Sequence, residues 1–280
     1  SRPTSHVPRP TSHVPRAICH TTMEHNVFKK TYMVLSLKIS IIVQIITAII
    51  QIFSLFIKVP PSYIILKQLL FLENIVQIIQ GSFYAWLFYN IKNVVNITSK
   101  RYTDWVVTTP IMLISLICYM IFLRGNGESH VDIFSILREN SAVIITIVIL
   151  NALMLLFGYL GETNVIPLIW GIIIGFIPFI IYYYIIYDKF VKSDNETHTN
   201  TITDTNTNVN TDQSNINTTI LKLFLYFLFF WSLYGIIGFL PYYIKNTIYN
   251  ILDLFSKNFF GLLLSYLIIS KSINPDSLFV

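Results

Sequence analysis

Seven apolar stretches, each close to the ~20 residues needed to cross ~30 Å of hydrocarbon, dominate this 280-residue chain. They fall near residues 31–57, 63–91, 101–123, 139–160, 165–188, 220–240 and 244–270. Turn-forming or charged residues separate them: Val59-Pro60-Pro61-Ser62, Asn93 to Lys100, Arg124-Gly125-Asn126-Gly127, Gly161-Glu162-Thr163-Asn164 and Leu240-Pro241. Only 12% of the residues are charged and 54% are hydrophobic, about half the charged share of a soluble domain. Mean hydropathy is +0.63. The expected fold class is an all-α membrane protein, a bundle of seven transmembrane helices over residues 31–272 with its functional centre in the core.

The polar remainder is less structured in expectation. Residues 2–8 and 9–15 are one heptapeptide, Arg-Pro-Thr-Ser-His-Val-Pro, written twice. Proline at that density excludes a helix, so residues 1–30 are expected to be a disordered leader. Residues 193–219 are almost entirely Asn, Thr, Asp and Ser and read as a flexible polar loop between the fifth and sixth helices. The net charge of +5 sits in termini and loops and suits anionic lipid headgroups. No basic face interleaved with aromatics exists, so nucleic acid is not an expected partner. Two cysteines, Cys19 and Cys118, cannot form a disulfide framework. The six histidines lie in polar or terminal stretches, and no metal site is expected.

Lys257 and Asp253 stand one helical turn apart within the seventh apolar run. An ammonium at bilayer depth costs roughly 2.5–3.5 kcal/mol even on the lenient insertion scale, so it calls for a partner or a job. Asp253, at i−4, supplies one partner on the same face. The third run carries Arg101, Asp104 and Thr108 on one side, and Ser115 lies three turns further along that face. Two cations and two carboxylates form a set that is neutral overall, as a low-dielectric interior requires. A desolvated lysine is also the side chain that condenses with aldehydes. The pattern points to a carbonyl cofactor held covalently inside the bundle.

These residues resemble a known family. Arg101-Tyr-Thr-Asp104-Trp105-Val-Val-Thr108-Thr109-Pro110 is similar to the third-helix signature of microbial (type 1) rhodopsins, and Leu252-Asp253-Leu-Phe-Ser256-Lys257-Asn258 to their retinal-lysine signature. Trp231-Ser-Leu-Tyr234, Trp170 and Asn151-Ala-Leu-Met154-Leu-Leu-Phe-Gly158 resemble the pocket walls on the sixth, fifth and fourth helices. The resemblance implies all-trans retinal as a Schiff base on Lys257. It makes Asp104 the primary counterion and proton acceptor and Asp253 the second counterion, with Arg101 and Thr108 in their charge network. Trp105, Thr109, Asn151, Met154, Gly158, Trp170, Trp231 and Tyr234 would form the pocket. Gly235 stands where pumping relatives carry a proline after the sixth-helix tyrosine.

Departures from the pumping pattern bear on what such a protein would do. Ser115 occupies the position of the acid that reprotonates the cofactor's nitrogen in efficient pumps, and a serine hydroxyl cannot release a proton near neutral pH. Polar side chains cluster instead on the first, second and seventh helices: Ser40, Gln44, Glu73, Gln77, Gln80, Tyr84 and Asn258. Glu73, Gln77, Gln80 and Tyr84 repeat at i, i+4, i+7 and i+11, one stripe facing the bundle. Together with Ser115 they form a candidate ion pathway. Asn258 after the lysine resembles the channelrhodopsin pattern, and Phe71 to Tyr84 resembles rhodopsins of giant algal viruses. The expectation is a non-enzymatic photoreceptor and light-gated cation channel, with an outward proton pump and a photosensor as alternatives. Expected partners are membrane lipids and transported cations or protons, and self-association as a homo-oligomer is compatible with the sequence. The expected location is multi-pass in a host cell or organelle membrane.

Overall fold

The computed structural model describes residues 16–93, 96–125, 132–192 and 207–273. Nine helices lie within them: α1 (Arg16–Phe56), α2 (Ile64–Asn90), α3 (Ile97–Arg124), α4 (Ile133–Glu139), α5 (Ser141–Glu162), α6 (Leu168–Ile186), α7 (Thr207–Ile237), α8 (Tyr242–Asp253) and α9 (Phe259–Ile273). A π-helical turn, Leu254–Asn258, joins α8 to α9, and a second, Tyr187–Val191, closes α6. The described residues thus form seven spans long and apolar enough to cross a bilayer: Lys30–Phe56, Pro61–Asn90, Ile97–Arg124, Ser141–Glu162, Leu168–Val191, Ser214–Ile237 and Tyr242–Ile273. This is a multi-pass integral membrane protein.

Local chemistry sets the helix ends. Pro60, Pro167 and Pro241 stand at the N-caps ahead of α2's leading 3₁₀ turn, α6 and α8, where the fixed φ of proline restarts a chain. Asn96 caps α3 by accepting from the Ser99 amide at 3.1 Å, so this helix begins four residues before the expected 101. Asp132 caps the short α4, which the sequence reading did not anticipate, through the Ser135 amide at 2.9 Å. Between α5 and α6, Asn164 takes φ 58°, a left-handed turn that asparagine tolerates.

Two expectations about the polar segments need correction. Helix α1 starts at Arg16, inside the residues expected to be a disordered leader; residues 1–15 lie outside the described ones. Helix α7 starts at Thr207, so only 193–206 of the expected loop lies outside the described residues. The physical reason is an apolar face that outruns the polar composition. Ile216, Ile220, Leu223, Phe224 and Phe227 repeat at helical spacing and are all buried. The hydroxyls of Thr218 and Thr219 turn back onto the carbonyls of Ser214 and Asn215.

Packing in lipid lacks a strong hydrophobic drive between helices and relies on close approach of small residues. Helices α5 and α6 show this. A Cβ at Gly171 would lie 2.8 Å from the Gly161 Cα and 2.8 Å from the Phe157 carbonyl oxygen. Backbone cannot yield as a flexible side chain would. The end of the bundle that holds Tyr63 and Lys271 is dry, filled by Leu66, Leu69, Leu70, Leu264 and Ile268. The opposite end and the middle are polar. Gly171→Ala is expected to lower stability by about 1–3 kcal/mol through overpacking, read as a reduced thermal midpoint in detergent. Gly175→Ala, whose Cβ would meet the Met154 carbonyl at 3.3 Å, is expected to cost less.

Candidate functional site

The seventh span presents Asn246, Asn250, Asp253 and Lys257 at i, i+4, i+7 and i+11, all buried and aimed into the bundle. Arg101 and Asp104 of α3 meet this stripe. Lys257 Nζ forms an ion pair with Asp104 Oδ2 and lies 3.8 Å from Asp253 Oδ1. Arg101 bypasses Asp104 on its own helix and donates from Nη1 to Asp253 Oδ2 at 3.1 Å. Its Nε donates to Asn246 Oδ1 at 3.2 Å, and its Nη2 donates to Asn250 Oδ1. The sequence placed Arg101 and Asp104 as neighbours on one face; the long guanidinium stem instead reaches a carboxylate on another helix. Arg101, Asp104, Asp253 and Lys257 are 1%, 2%, 0% and 4% exposed, so their opposite charges must neutralise one another.

Asp253 is the hub. Tyr84 donates to its Oδ2 and Tyr234 to its Oδ1, each at 2.6 Å. Asp104 is less tied, because its Oδ1 has no hydrogen-bond partner. The π-helical turn carries Ser256 and Lys257 at its centre; such turns interrupt an α-helix most often at functional sites. Its loosened backbone takes outside partners. Tyr226 donates its hydroxyl to the Phe255 carbonyl at 2.7 Å, and Ser256 Oγ meets the Tyr234 hydroxyl at 2.7 Å.

Beyond Lys257 opens a cavity walled by α3, α5, α6 and α7. Trp105, Thr109, Met112, Met154, Phe176, Phe179, Trp231 and Tyr234 line it, with Gly158, Gly171, Gly175 and Gly235 between them. Trp105 stands edge-on to Tyr234 and Tyr249 at 5.2 and 5.4 Å. Asn151 is buried just behind the wall and donates to Thr109 Oγ1 at 2.8 Å. Tyr102 packs against Gly158, where a Cβ would come within 2.6 Å of its hydroxyl.

Two sequence expectations are corrected here, those for Trp170 and Thr108. Trp170 is 57% exposed on the outer face of α6; Phe176 and Phe179 furnish that wall, on the phase set by Gly171 and Gly175. Thr108 does not join the charge network: its hydroxyl bonds back to the Asp104 carbonyl at 2.9 Å. Tyr84, expected on the ion pathway, is held by Asp253 and lies 3.4 Å from Arg101 Nη1. Among the other pathway candidates, Ser40 donates to the Asn250 carbonyl at 2.7 Å and Gln77 to the Gln44 carbonyl at 3.0 Å. Glu73, Gln80, Ser115 and Asn258 are buried with their polar side-chain atoms unpartnered.

Other residues escaped the sequence reading. Asn246 and Asn250 were visible as an extension of the Asp253–Lys257 stripe. Ser36, Thr47, Gln51 and Ser54 continue the Ser40–Gln44 face along α1, again at helical spacing. The buried Lys245–Glu162 ion pair, 2.6 Å between α8 and α5, had no sequence signal, since 83 positions separate its members.

Seven helices closing on a buried lysine with carboxylates from two spans define a class, the microbial rhodopsins. Residues 35–271 match the family model described as bacteriorhodopsin-like protein, and the chain belongs to that family. Among solved structures, the viral rhodopsin OLPVRII is 23% identical with a TM-score of 0.66, covering 85% of this chain and 98% of that one. A blue light-absorbing proteorhodopsin from Med12 is 18% identical, with a TM-score of 0.61 and coverage of 87% and 100%. The bromide-bound form of halorhodopsin from Halobacterium salinarum is 13% identical, with a TM-score of 0.63 and coverage of 91% and 100%. At these identities the likeness is one of fold. No curated protein matches the sequence.

The family implies a retinal chromophore, and the residues present fit one. The cavity is an aromatic-walled apolar slot with a primary amine at one end. At Gly158 and Gly235, which line it, an added Cβ would strike Tyr102 and Phe176 of its wall. Asp253→Asn would leave Arg101 and Lys257 buried with one carboxylate between them. The expected cost to the retinal-free protein is about 3–5 kcal/mol, measured as a loss of thermal stability relative to wild type.

Proposed function

We propose that this chain is a retinal-binding photoreceptor that conducts cations passively when illuminated. All-trans retinal, attached through its aldehyde to Lys257 Nζ, would supply light absorption and an isomerisation that displaces that nitrogen. The remaining work falls to the chain's own side chains. Lys257 Nζ holds a proton opposite Asp104 and Asp253. Asp253 has both oxygens engaged by Tyr84, Tyr234 and Arg101, whereas Asp104 keeps Oδ1 free. Asp104 is therefore the carboxylate with room to accept the proton. Trp105, Trp231 and Met154 hold the slot apolar and exclude water from it.

The observation that carries conduction is a polar seam between the first, second and seventh spans. Ser36, Ser40, Gln44, Thr47, Gln51 and Ser54 follow one face of α1 over five turns, all buried. Gln77 of α2 donates to the Gln44 carbonyl, Asn250 of the seventh span donates to Ser36 Oγ, and Glu73, Gln80, Asn246, Asn258 and Ser265 of those two spans are also buried. Both side-chain polar atoms of Gln44, Gln80 and Asn258 lack a protein partner. Buried amides left without partners are costly, and polar side chains at membrane depth mark water or ion routes. The apolar layer of Leu66, Leu69, Leu70, Leu264 and Ile268 at the Lys271 end would close the seam at rest.

Voltage-clamped cells expressing the protein with retinal are expected to show photocurrents that reverse sign with the cation gradient. Currents that stay outward at every voltage would establish a pump instead. Lys257→Ala is expected to abolish visible absorbance with all-trans retinal, and an unchanged spectrum would place the attachment elsewhere.

A further inference from the structure

We propose that the proton taken up by Asp104 leaves along a water-filled groove on the outside of the bundle, between α2 and α3, and bypasses the Arg101 network. The proposal rests on the reading of Asp104 as the acceptor for the Lys257 nitrogen and is independent of whether cations pass through the seam.

The internal route lacks a first step. Asp104 Oδ2 is paired with Lys257 and Oδ1 has no hydrogen-bond partner, so no hydrogen bond joins this carboxylate to the Arg101 web. Arg101 commits its guanidinium to Asp253, Asn246 and Asn250. One turn outward of Tyr84 and Arg101, the side chains of Leu87 and Ile97 are apolar and buried.

The groove offers another way. Its walls are Ile79, Phe83 and Trp86, at i, i+4 and i+7 of α2, and Lys100, Thr103 and Asp104, at i, i+3 and i+4 of α3. It holds about 370 Å³, room for several waters. Trp86 and Lys100 form the mouth, each about one turn from a helix end, at Asn90 and Ile97. Tryptophan and lysine favour this interfacial depth. Asp104 is the floor, one turn or ~6 Å deeper than Lys100, and is 2% exposed.

The α3 wall favours water as the occupant. Thr103 donates its hydroxyl to the Lys100 carbonyl at 2.7 Å, and its oxygen can still accept from water. A lipid chain in the groove would leave that hydroxyl, the Lys100 ammonium and the Asp104 carboxyl against hydrocarbon. The ammonium at the mouth also repels metal cations from the carboxylate below it.

The transfer balances. The Lys257 nitrogen gives its proton to an Asp104 carboxylate oxygen. That O–H bond then breaks toward a groove water, the electron pair stays on the carboxylate, and the proton passes along the water to bulk solvent at the Arg101 end. Asp104 is again an anion when the Lys257 nitrogen next holds a proton. Arg101 need not move, so the bonds to Asp253 persist through the cycle.

Cysteine labelling of the retinal-free protein in membranes tests the groove, in a Cys19→Ser background that leaves only the buried Cys118. Ile79→Cys, deepest on the α2 wall, is expected to react with a membrane-impermeant sulfonate thiol reagent at least tenfold faster than Ile78→Cys, whose position is 65% exposed on the lipid side. Thr103→Trp, which fills the groove from an exposed position, is expected to block that reaction. In the retinal-loaded protein it is expected to delay the flash-induced proton at an external pH dye at least fivefold without moving the absorbance maximum. Ile79→Cys no more reactive than Ile78→Cys would mean that lipid or a neighbouring copy fills the groove, and would overturn the proposal. Proton appearance in Thr103→Trp within twofold of wild type would overturn it too. A wild type that forms no pigment with all-trans retinal would overturn the Lys257 reading and the transfer with it, whereas the labelling judges the groove by itself.

Discussion

Asp253 ties four spans together with one carboxylate. It receives Tyr84 from α2, Arg101 from α3 and Tyr234 from α7, and lies on the seventh span beside Lys257. Helices in lipid gain little from mutual burial of apolar surface, so polar cross-links and close small-residue contacts must specify their arrangement. A buried ion pair is weak evidence of net stability, because desolvation cancels much of its attraction. Its value here is register. Slippage by one residue in α3 or the seventh span would strand a charge, and in α2 or α7 it would remove a hydrogen bond from Asp253. Asp104 neutralises Lys257 without joining that web, so the two carboxylates divide scaffolding from chemistry.

Seven runs of suitable length were readable because hydrocarbon leaves a segment little choice but a helix. Helix extents at the polar ends were not, because composition and periodicity disagreed there. Asparagine and threonine hid the Ile216–Phe227 face, and Asn96 acts as a cap ahead of the first charged residue of α3. Spacing within one helix also misled. Arg101 and Asp104 share a face, yet a stem as long as arginine's chooses partners across the bundle. Trp170 shows the limit of judging an aromatic singly: Gly171 and Gly175 fix the phase of α6, and that phase turns Phe176 and Phe179 inward. The stripe of Asn246, Asn250, Asp253 and Lys257 obeyed the same rule as Glu73 to Tyr84. The ion pair between Lys245 and Glu162 exists only once α5 and α8 meet.

The molecule is polar and cross-linked at one end, dry at the other. Near Arg101, Asn96 caps α3 and donates to the Glu162 carbonyl at 3.0 Å, while the Glu162 carboxylate holds Lys245. Three helix ends are thereby pinned where the charge network already fixes the core. At the far end, leucine and isoleucine contacts carry no directional bonds, and the lone Lys271 amine lies 5.2 Å from the Tyr63 ring centroid. Rearrangement is easier where contacts are non-directional than where bonds must break. The asymmetry therefore favours motion on the side remote from Arg101.

The widened turn at Leu254–Asn258 stores one residue more than a regular coil would need. Each residue of an α-helix advances the chain by about 100°. If that slack were taken up, α9 would swivel against α8 by that angle, sweeping Gly261, Ser265 and Lys271 past α1 and α2. The lysine sits within the slack itself, so a small push on its side chain acts on the joint of a lever whose long arm is α9.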